Sequence, residues 1–130
     1  MARIEVPVSA GELVDKVTIL EIKSERIADT AKLANVRREL AGLTAMVGPL
    51  LAANPALAPL KSSLRAVNET LWRIEDDIRA CERRKDFGPP FVELARNVYR
   101  TNDRRAALKR EIDTLLGSEL VEEKSYQTYD

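Results

Sequence analysis

Apolar residues recur three and four positions apart along most of the chain, and the pattern is most regular between residues 60 and 81. An uninterrupted stripe of this kind predicts a long helix from residue 60 to about Lys85 that packs along one side against a partner. The stripe, called the helix 3 seam below, consists of Leu60, Leu64, Val67, Leu71, Ile74, Ile78 and Cys81.

A second long helix follows a sharp connection. Phe87-Gly88-Pro89-Pro90 interrupts the periodic pattern, which resumes at residue 91 and continues to Leu116. Gly117 directly after the last apolar position is typical of a helix C-cap. Because the connection is short, helices 3 and 4 should form an antiparallel hairpin over residues 60–116.

Helix 1 is predicted to begin after Ser9, because Ser9 and Glu12 have the spacing of a capping box, and to end near Ala28. Ile19 and Ile22 lie off its main apolar stripe at 100° per residue. The helix is therefore apolar on more than one side, which indicates either a central position or a subunit interface.

Helix 2 is predicted over residues 31–47, with Gly48-Pro49 ending it and residues 48–59 forming an apolar loop that contains a helical turn. Residues 3–8 alternate between apolar and polar, which predicts a short strand. Leu120 and Val121 in the tail could pair with it.

These elements predict an all-α fold, an antiparallel bundle of about four helices in one domain over residues 1–130, with a short N-terminal strand. Helix 3 exceeds the predicted helix 2 by several turns, so something must cover its overhang. Together with Ile19 and Ile22, the overhang favours a homodimer, because faces this apolar seldom remain exposed on a monomer.

The apolar stripe of helix 4 is interrupted by polar residues at its centre. Burying such groups without partners is costly, so helix 3 should supply them. In the register of the hairpin, the polar residues lie level with a mixed stripe on helix 3. The candidate ligand-binding site therefore comprises Asn68, Trp72, Glu75, Asn102, Arg105 and Lys109.

Three interpretations of this cluster compete. In a closed network, Glu75 neutralises Arg105 and the amides complete the hydrogen bonds. In an open pocket, Arg105 and Lys109 receive a small anionic ligand and Trp72 forms one wall. In the third interpretation the cluster is a solvated face.

Composition narrows the functional classes. The chain has 21 basic and 21 acidic residues, and this lack of a basic excess disfavours nucleic-acid binding. It has no apolar run of membrane-spanning length and no signal-peptide pattern at its start. The single cysteine, Cys81, fits a reducing compartment and a packing role. We therefore expect a cytoplasmic protein that binds neither nucleic acid nor membrane.

Candidate chemistry is sparse. The absence of histidine excludes a Ser–His–Asp triad, and with only one cysteine besides it nearly excludes zinc chemistry as well. Glu12 and Asp15 only partly match the paired acidic motif that holds Mg²⁺ in all-α nucleotide pyrophosphohydrolases, and neighbouring lysines favour ordinary ion pairs instead. We expect no metal and no cofactor.

Four segments resemble an uncharacterised bacterial family of small proteins catalogued as a domain of unknown function. They are GELVDKVTILEIK from residue 11, LWRIEDDIR from residue 71, TNDRRAALKREI from residue 101 and GSELVEEKSY from residue 117. The resemblance covers the chain except roughly residues 44–62. It implies no reaction, and it associates the protein with gene neighbourhoods of surface-polysaccharide glycosyltransferases.

The function that the sequence favours is a non-catalytic binding or interaction module with a polar pocket between helices 3 and 4. The alternative is a small-molecule enzyme, either similar to chorismate mutase or a metal-dependent nucleotide pyrophosphohydrolase. A mutase-like site needs two or more unpaired cations that face one cavity, because they stabilise a dianionic transition state.

Overall fold

The computed structural model describes residues 2–130, which form the four helices α1 (Ala10–Arg26), α2 (Thr30–Ala53), α3 (Leu57–Arg84) and α4 (Pro89–Leu116). The predicted all-α fold is confirmed. The predicted strand is wrong, because no residue between 2 and 130 is in a strand and Ile4 and Val6 are exposed. Leu120 and Val121 are likewise exposed coil, so the segment has no partner strand and gains nothing from pairing.

Helix α2 continues through Gly48-Pro49, where the sequence predicted its end. A proline costs a helix one hydrogen bond, and its ring restricts the preceding residue through contacts with that residue's N–H and Cβ. Gly48 lacks the Cβ, so one of these contacts is absent. The helix ends at Asn54, whose backbone N–H and side-chain amide both donate to the Leu50 carbonyl. No helix within residues 2–130 is long and apolar enough to cross a membrane.

The N-terminus of α1 is capped from three directions. The Ser9 hydroxyl accepts from the Glu12 N–H at 3.1 Å, as the capping-box spacing predicted. Asp113 of α4 accepts from the Gly11 N–H at 2.6 Å, and the Ser118 hydroxyl accepts from the first N–H of the helix at 3.1 Å. These bonds satisfy backbone donors that a helix start leaves open, and they fix α1 to the end of α4.

The helices form two antiparallel hairpins, α1–α2 and α3–α4. The N-terminal half of α1 bonds to α4 through Glu12 and Lys109, while Glu21 near its other end bonds to Lys61 on α3. Helix α1 therefore lies across the α3–α4 hairpin. The predicted excess of several turns is wrong, because α2 has 24 residues and α3 has 28. Helix α2 nevertheless packs mainly on α1 and barely touches α3, so it does not cover the part of α3 beyond the crossing of α1.

The core lies where the two hairpins meet. Val14 of α1, Leu57 and Leu64 of α3, and Ile112 of α4 are fully buried there. All seven residues of the helix 3 seam are buried or half-buried, which confirms the predicted packing stripe and the packing role of Cys81. Beyond the crossing of α1, only α4 packs against this stripe.

We predict that Gly11→Ala destabilises the fold, because an added Cβ would lie 2.4 Å from the Lys109 carbonyl oxygen on α4. Forcing these two backbones apart should cost about 1–3 kcal/mol. Gly42→Ala is the matched control, because nothing lies within 4 Å of its added methyl group. That exposed α2 position should gain about 0.5–1 kcal/mol in urea unfolding. A stabilising effect of both substitutions would contradict the close approach of α1 and α4.

Candidate functional site

A fully buried carboxylate, Asp15 of α1, stands at the centre of the site. The guanidinium of Arg105 on α4 donates two hydrogen bonds to this carboxylate, from Nε to Oδ1 at 3.0 Å and from Nη2 to Oδ2 at 2.5 Å. The Asn68 amide of α3 donates to Oδ1 at 2.9 Å. One carboxylate thus connects three helices, in the paired geometry that carboxylate and guanidinium groups favour.

The neighbours of Asp15 fix the orientation of Asn68. The Asn68 amide also donates to the Thr18 hydroxyl at 2.9 Å, and that hydroxyl donates to the Asp15 backbone carbonyl at 2.8 Å. Within residues 2–130, no fully buried side-chain nitrogen or oxygen lacks a hydrogen-bond partner. The polar centre is therefore a satisfied network, which removes most of the cost of burying it.

Electrostatics keep Arg105 charged. Its hydrogen bond to Asp15 raises the pKa of the guanidinium, against the effect of partial burial, and the charges of Asp15, Glu12 and Glu122 add to the rise. The positive charge at this position is thus permanent at any physiological pH, and its ion-pair partner Asp15 belongs to the fold itself.

Beside this network lies a groove of about 500 Å³ between α1, α3 and α4, called the Trp72 groove below. Five of the six predicted site residues line it: Asn68, Trp72, Glu75, Asn102 and Arg105. The other lining residues are Ile19, Ile22, Leu71, Asp76 and Arg79. The hairpin register therefore brought together the predicted residues of α3 and α4, and α1 contributes an apolar wall.

The predicted partner of Arg105 was wrong. Glu75 is exposed and forms an ion pair with Arg79, one turn along the same helix. The physical reason is the position of α1, which inserts Asp15 at the height of Arg105 and leaves Glu75 on the outer flank of α3. The closed-network interpretation holds for Arg105 with a different carboxylate.

Lys109 lies outside the groove. It is buried, and its Nζ donates to Glu12 at 2.6 Å and to Glu122 of the tail at 3.2 Å. Burial lowers the pKa of Lys109, but these hydrogen bonds and the charge of Asp15 outweigh burial and raise it. The same contact lowers the pKa of Glu122. Glu12 therefore holds Lys109 and does not complete the predicted capping box.

Charges along the groove nearly balance. Arg105 is paired with Asp15 and Arg79 with Glu75, which leaves Asp76 as the one lining charge without an ion pair inside residues 2–130. Open donors remain, since Arg105 Nη1 and the indole N–H of Trp72 donate to no other residue of the described chain. The groove thus combines apolar walls with a few hydrogen-bond donors that have no partner in the described chain, and it has no excess positive charge.

The partial acidic motif does not form a metal centre in the described chain. Residues 2–130 contain no group of three metal-ligating side chains in reach of one ion. The carboxylates of Glu12 and Asp15 are instead engaged by Lys109 and Arg105.

Sequence reasoning missed the buried polar face of α1. Asp15 and Thr18 are fully buried, and Asp113 of α4 is nearly so. A signal was present, because Gly11, Asp15, Thr18 and Ile22 are spaced four, three and four residues apart and so share one face. The acidic residues of α1 were interpreted as a surface feature because charged residues are rarely fully buried.

We predict that Arg105→Ala costs about 3–5 kcal/mol in urea unfolding, because it leaves Asp15 buried without its cation. The double variant Asp15→Asn/Arg105→Ala should recover part of this loss, so the double-mutant cycle should show strong coupling. Glu75→Gln is the control, and we expect it within about 0.5 kcal/mol of the unmodified chain. Strong coupling of Arg105 to Glu75 with none to Asp15 would refute the assignment.

Comparison with known proteins gives a family and no activity. No curated protein and no solved structure matches the chain. The model of the family of unknown function DUF6165 matches residues 4–129, nearly the whole sequence. The match agrees with the resemblance to a domain of unknown function drawn from the four sequence segments. The chain therefore belongs to the DUF6165 family.

Proposed function

We propose that the protein is a non-catalytic interaction module whose Trp72 groove binds an apolar, helical segment of a protein partner. The observation that carries the proposal is the neutralisation of Arg105 by buried Asp15. Because of this neutralisation, the candidate anion site is a groove with apolar walls and balanced charges. Such a surface suits the apolar face of a helix, whose anchoring residues recur three and four positions apart.

The charge balance disfavours a small anionic ligand. A dianion would have to compete with Asp15 for Arg105 and with Glu75 for Arg79. Lys109, the second cation of the open-pocket interpretation, is held by Glu12 outside the groove. A mutase-like mechanism needs at least two free cations aimed at one cavity, and this arrangement supplies none that is not already paired.

The shape of the groove favours a protein segment. Ile19, Ile22 and Leu71 form apolar walls around Trp72, and charged residues of both signs stand along the rim. Sites of this type combine an apolar interior with a few polar groups that fix orientation. The indole N–H of Trp72 and Nη1 of Arg105 can bind an acidic or amide side chain on the flank of a docked helix.

The family resemblance extends the proposal to the place in the cell where the module acts. It supports a cytoplasmic bacterial module that acts beside glycosyltransferases of surface-polysaccharide synthesis.

Trp72 is the only tryptophan of the chain, so its emission reports directly on the groove. We predict that N-phenyl-1-naphthylamine, an uncharged apolar naphthalene probe, binds the folded protein at low protein concentration and quenches Trp72 by energy transfer. Inorganic phosphate and citrate should leave both the emission and the thermal midpoint unchanged apart from a general salt effect.

Two variants localise the signal. Ile19→Asp places a charge in the groove wall and should abolish the energy transfer, with folding verified by circular dichroism. Leu115→Asp on an exposed part of α4 outside the groove is the matched control and should retain it. Saturable binding of phosphate or citrate at Trp72, or no binding of the naphthalene probe, would contradict the proposed function.

A further inference from the structure

The geometry points to a second copy of this chain as the occupant of the Trp72 groove, in an antiparallel dimer that joins the two α3 helices. This inference rests on the proposed function, and it identifies the protein partner as a second copy of the chain. It starts from the part of α3 beyond the crossing of α1, where only α4 packs against the helix and, on the uncovered face, the half-buried Trp72 and Ile78 lie among exposed charged residues.

That face carries two apolar patches. One is the Trp72 groove, and the other surrounds Phe87 and Phe91 at the tip of the hairpin, where the two rings meet edge to face at 5.4 Å. A shallow cavity of about 310 Å³ lies between these rings and Ile78. Phe87 is 53% exposed, which is unusual for a large aromatic side chain without a partner.

The two patches adjoin on one face. Glu75 and Arg79 line both cavities, so they stand between the groove and the aromatic tip. Trp72 lies three residues before Glu75, and Glu82, beside the Phe rings, lies three residues after Arg79. At about 1.5 Å per residue, both patches are therefore equally far from the midpoint of the Glu75–Arg79 pair.

A twofold axis at that midpoint makes the face complementary to itself. In a symmetric dimer the same surface is used by both copies, so residues at equal distances from the axis meet. Glu75 of one copy then faces Arg79 of the other, and the aromatic tip of each copy lies over the Trp72 groove of the other. Two charge pairs and two apolar contacts form at once.

The same symmetry provides a partner for the open donors of the groove. Glu82 falls opposite Trp72, and its carboxylate is in no ion pair within residues 2–130. It can accept from the Trp72 indole N–H and from Nη1 of Arg105. The charge balance that disfavours a free anion in the groove thus suits a carboxylate delivered on an apolar helix face.

Sedimentation equilibrium from low to high micromolar concentration tests the dimer. The unmodified chain should reach twice the monomer mass of 14.6 kDa, and the emission of Trp72 should shift to shorter wavelength over the same range. Glu75→Arg and Arg79→Glu should each raise the dimer dissociation constant at least about tenfold, because each places like charges across the axis.

The double charge reversal Glu75→Arg/Arg79→Glu should restore the dimer, because it recreates opposite charges across the axis. All of these positions are exposed, so the folded monomer should persist in each variant. Glu93→Arg, on the opposite side of the hairpin, is the matched control and should leave the dissociation constant unchanged.

The inference would be overturned if neither single charge reversal weakened the dimer, or if the double reversal failed to restore it. A chain that remained monomeric at every concentration would overturn it as well. If such a monomer still bound the naphthalene probe through Ile19, the proposed function would stand and only its assignment to a second copy would fall.

Discussion

The carboxylate of Asp15 constrains the rest of the structure. A charge removed from water is tolerated only when other groups satisfy it, and here a guanidinium and an amide from two different helices do so. Helix α1 can therefore cross the α3–α4 hairpin only where Asp15 reaches both Asn68 and Arg105. The close approach at Gly11 and the capping by Asp113 fix the same crossing from the other end of the helix.

This crossing also creates the groove. Ile19 and Ile22 follow Asp15 by one and two helical turns, so placing Asp15 over Arg105 sets them against Leu71 and Trp72. Buried ion pairs are poor sources of stability compared with apolar packing of equal volume, but an unpaired buried charge is strongly destabilising. The network therefore acts mainly by penalising every other register of α1 on the hairpin.

Sequence signals that lie within a few residues predicted the helices better than they predicted which side chains pair between helices. The helix 3 seam and Gly117 depend on periodicity and on a C-cap, both readable within a few residues, and the structure confirms them. Pro49 misled the prediction of α2, because the residue before it is Gly48, which has no Cβ to clash with the proline ring in the helical conformation. The hairpin register, which a short connection determines, brought five of the six predicted site residues to one groove. The sequence could not identify the partner of Arg105, since Asp15 lies 90 residues away in the chain and no local pattern places α1 on the hairpin.

Internal neutralisation of Arg105 links the fold to the proposed function, because it turns a cationic cleft into an apolar groove with balanced charges. The most direct measurement is the solvent exchange rate of the Arg105 Nε–H, observed by ¹⁵N NMR on the folded protein. An Nε–H bonded to a buried carboxylate should give a resolved signal and exchange far more slowly than that of Arg37, which is exposed on α2. Replacing Asp15 by alanine should remove this difference, because alanine offers no side-chain acceptor to the Nε–H. Exchange as fast at Arg105 as at Arg37 in the unmodified chain would contradict the buried pair on which the account depends.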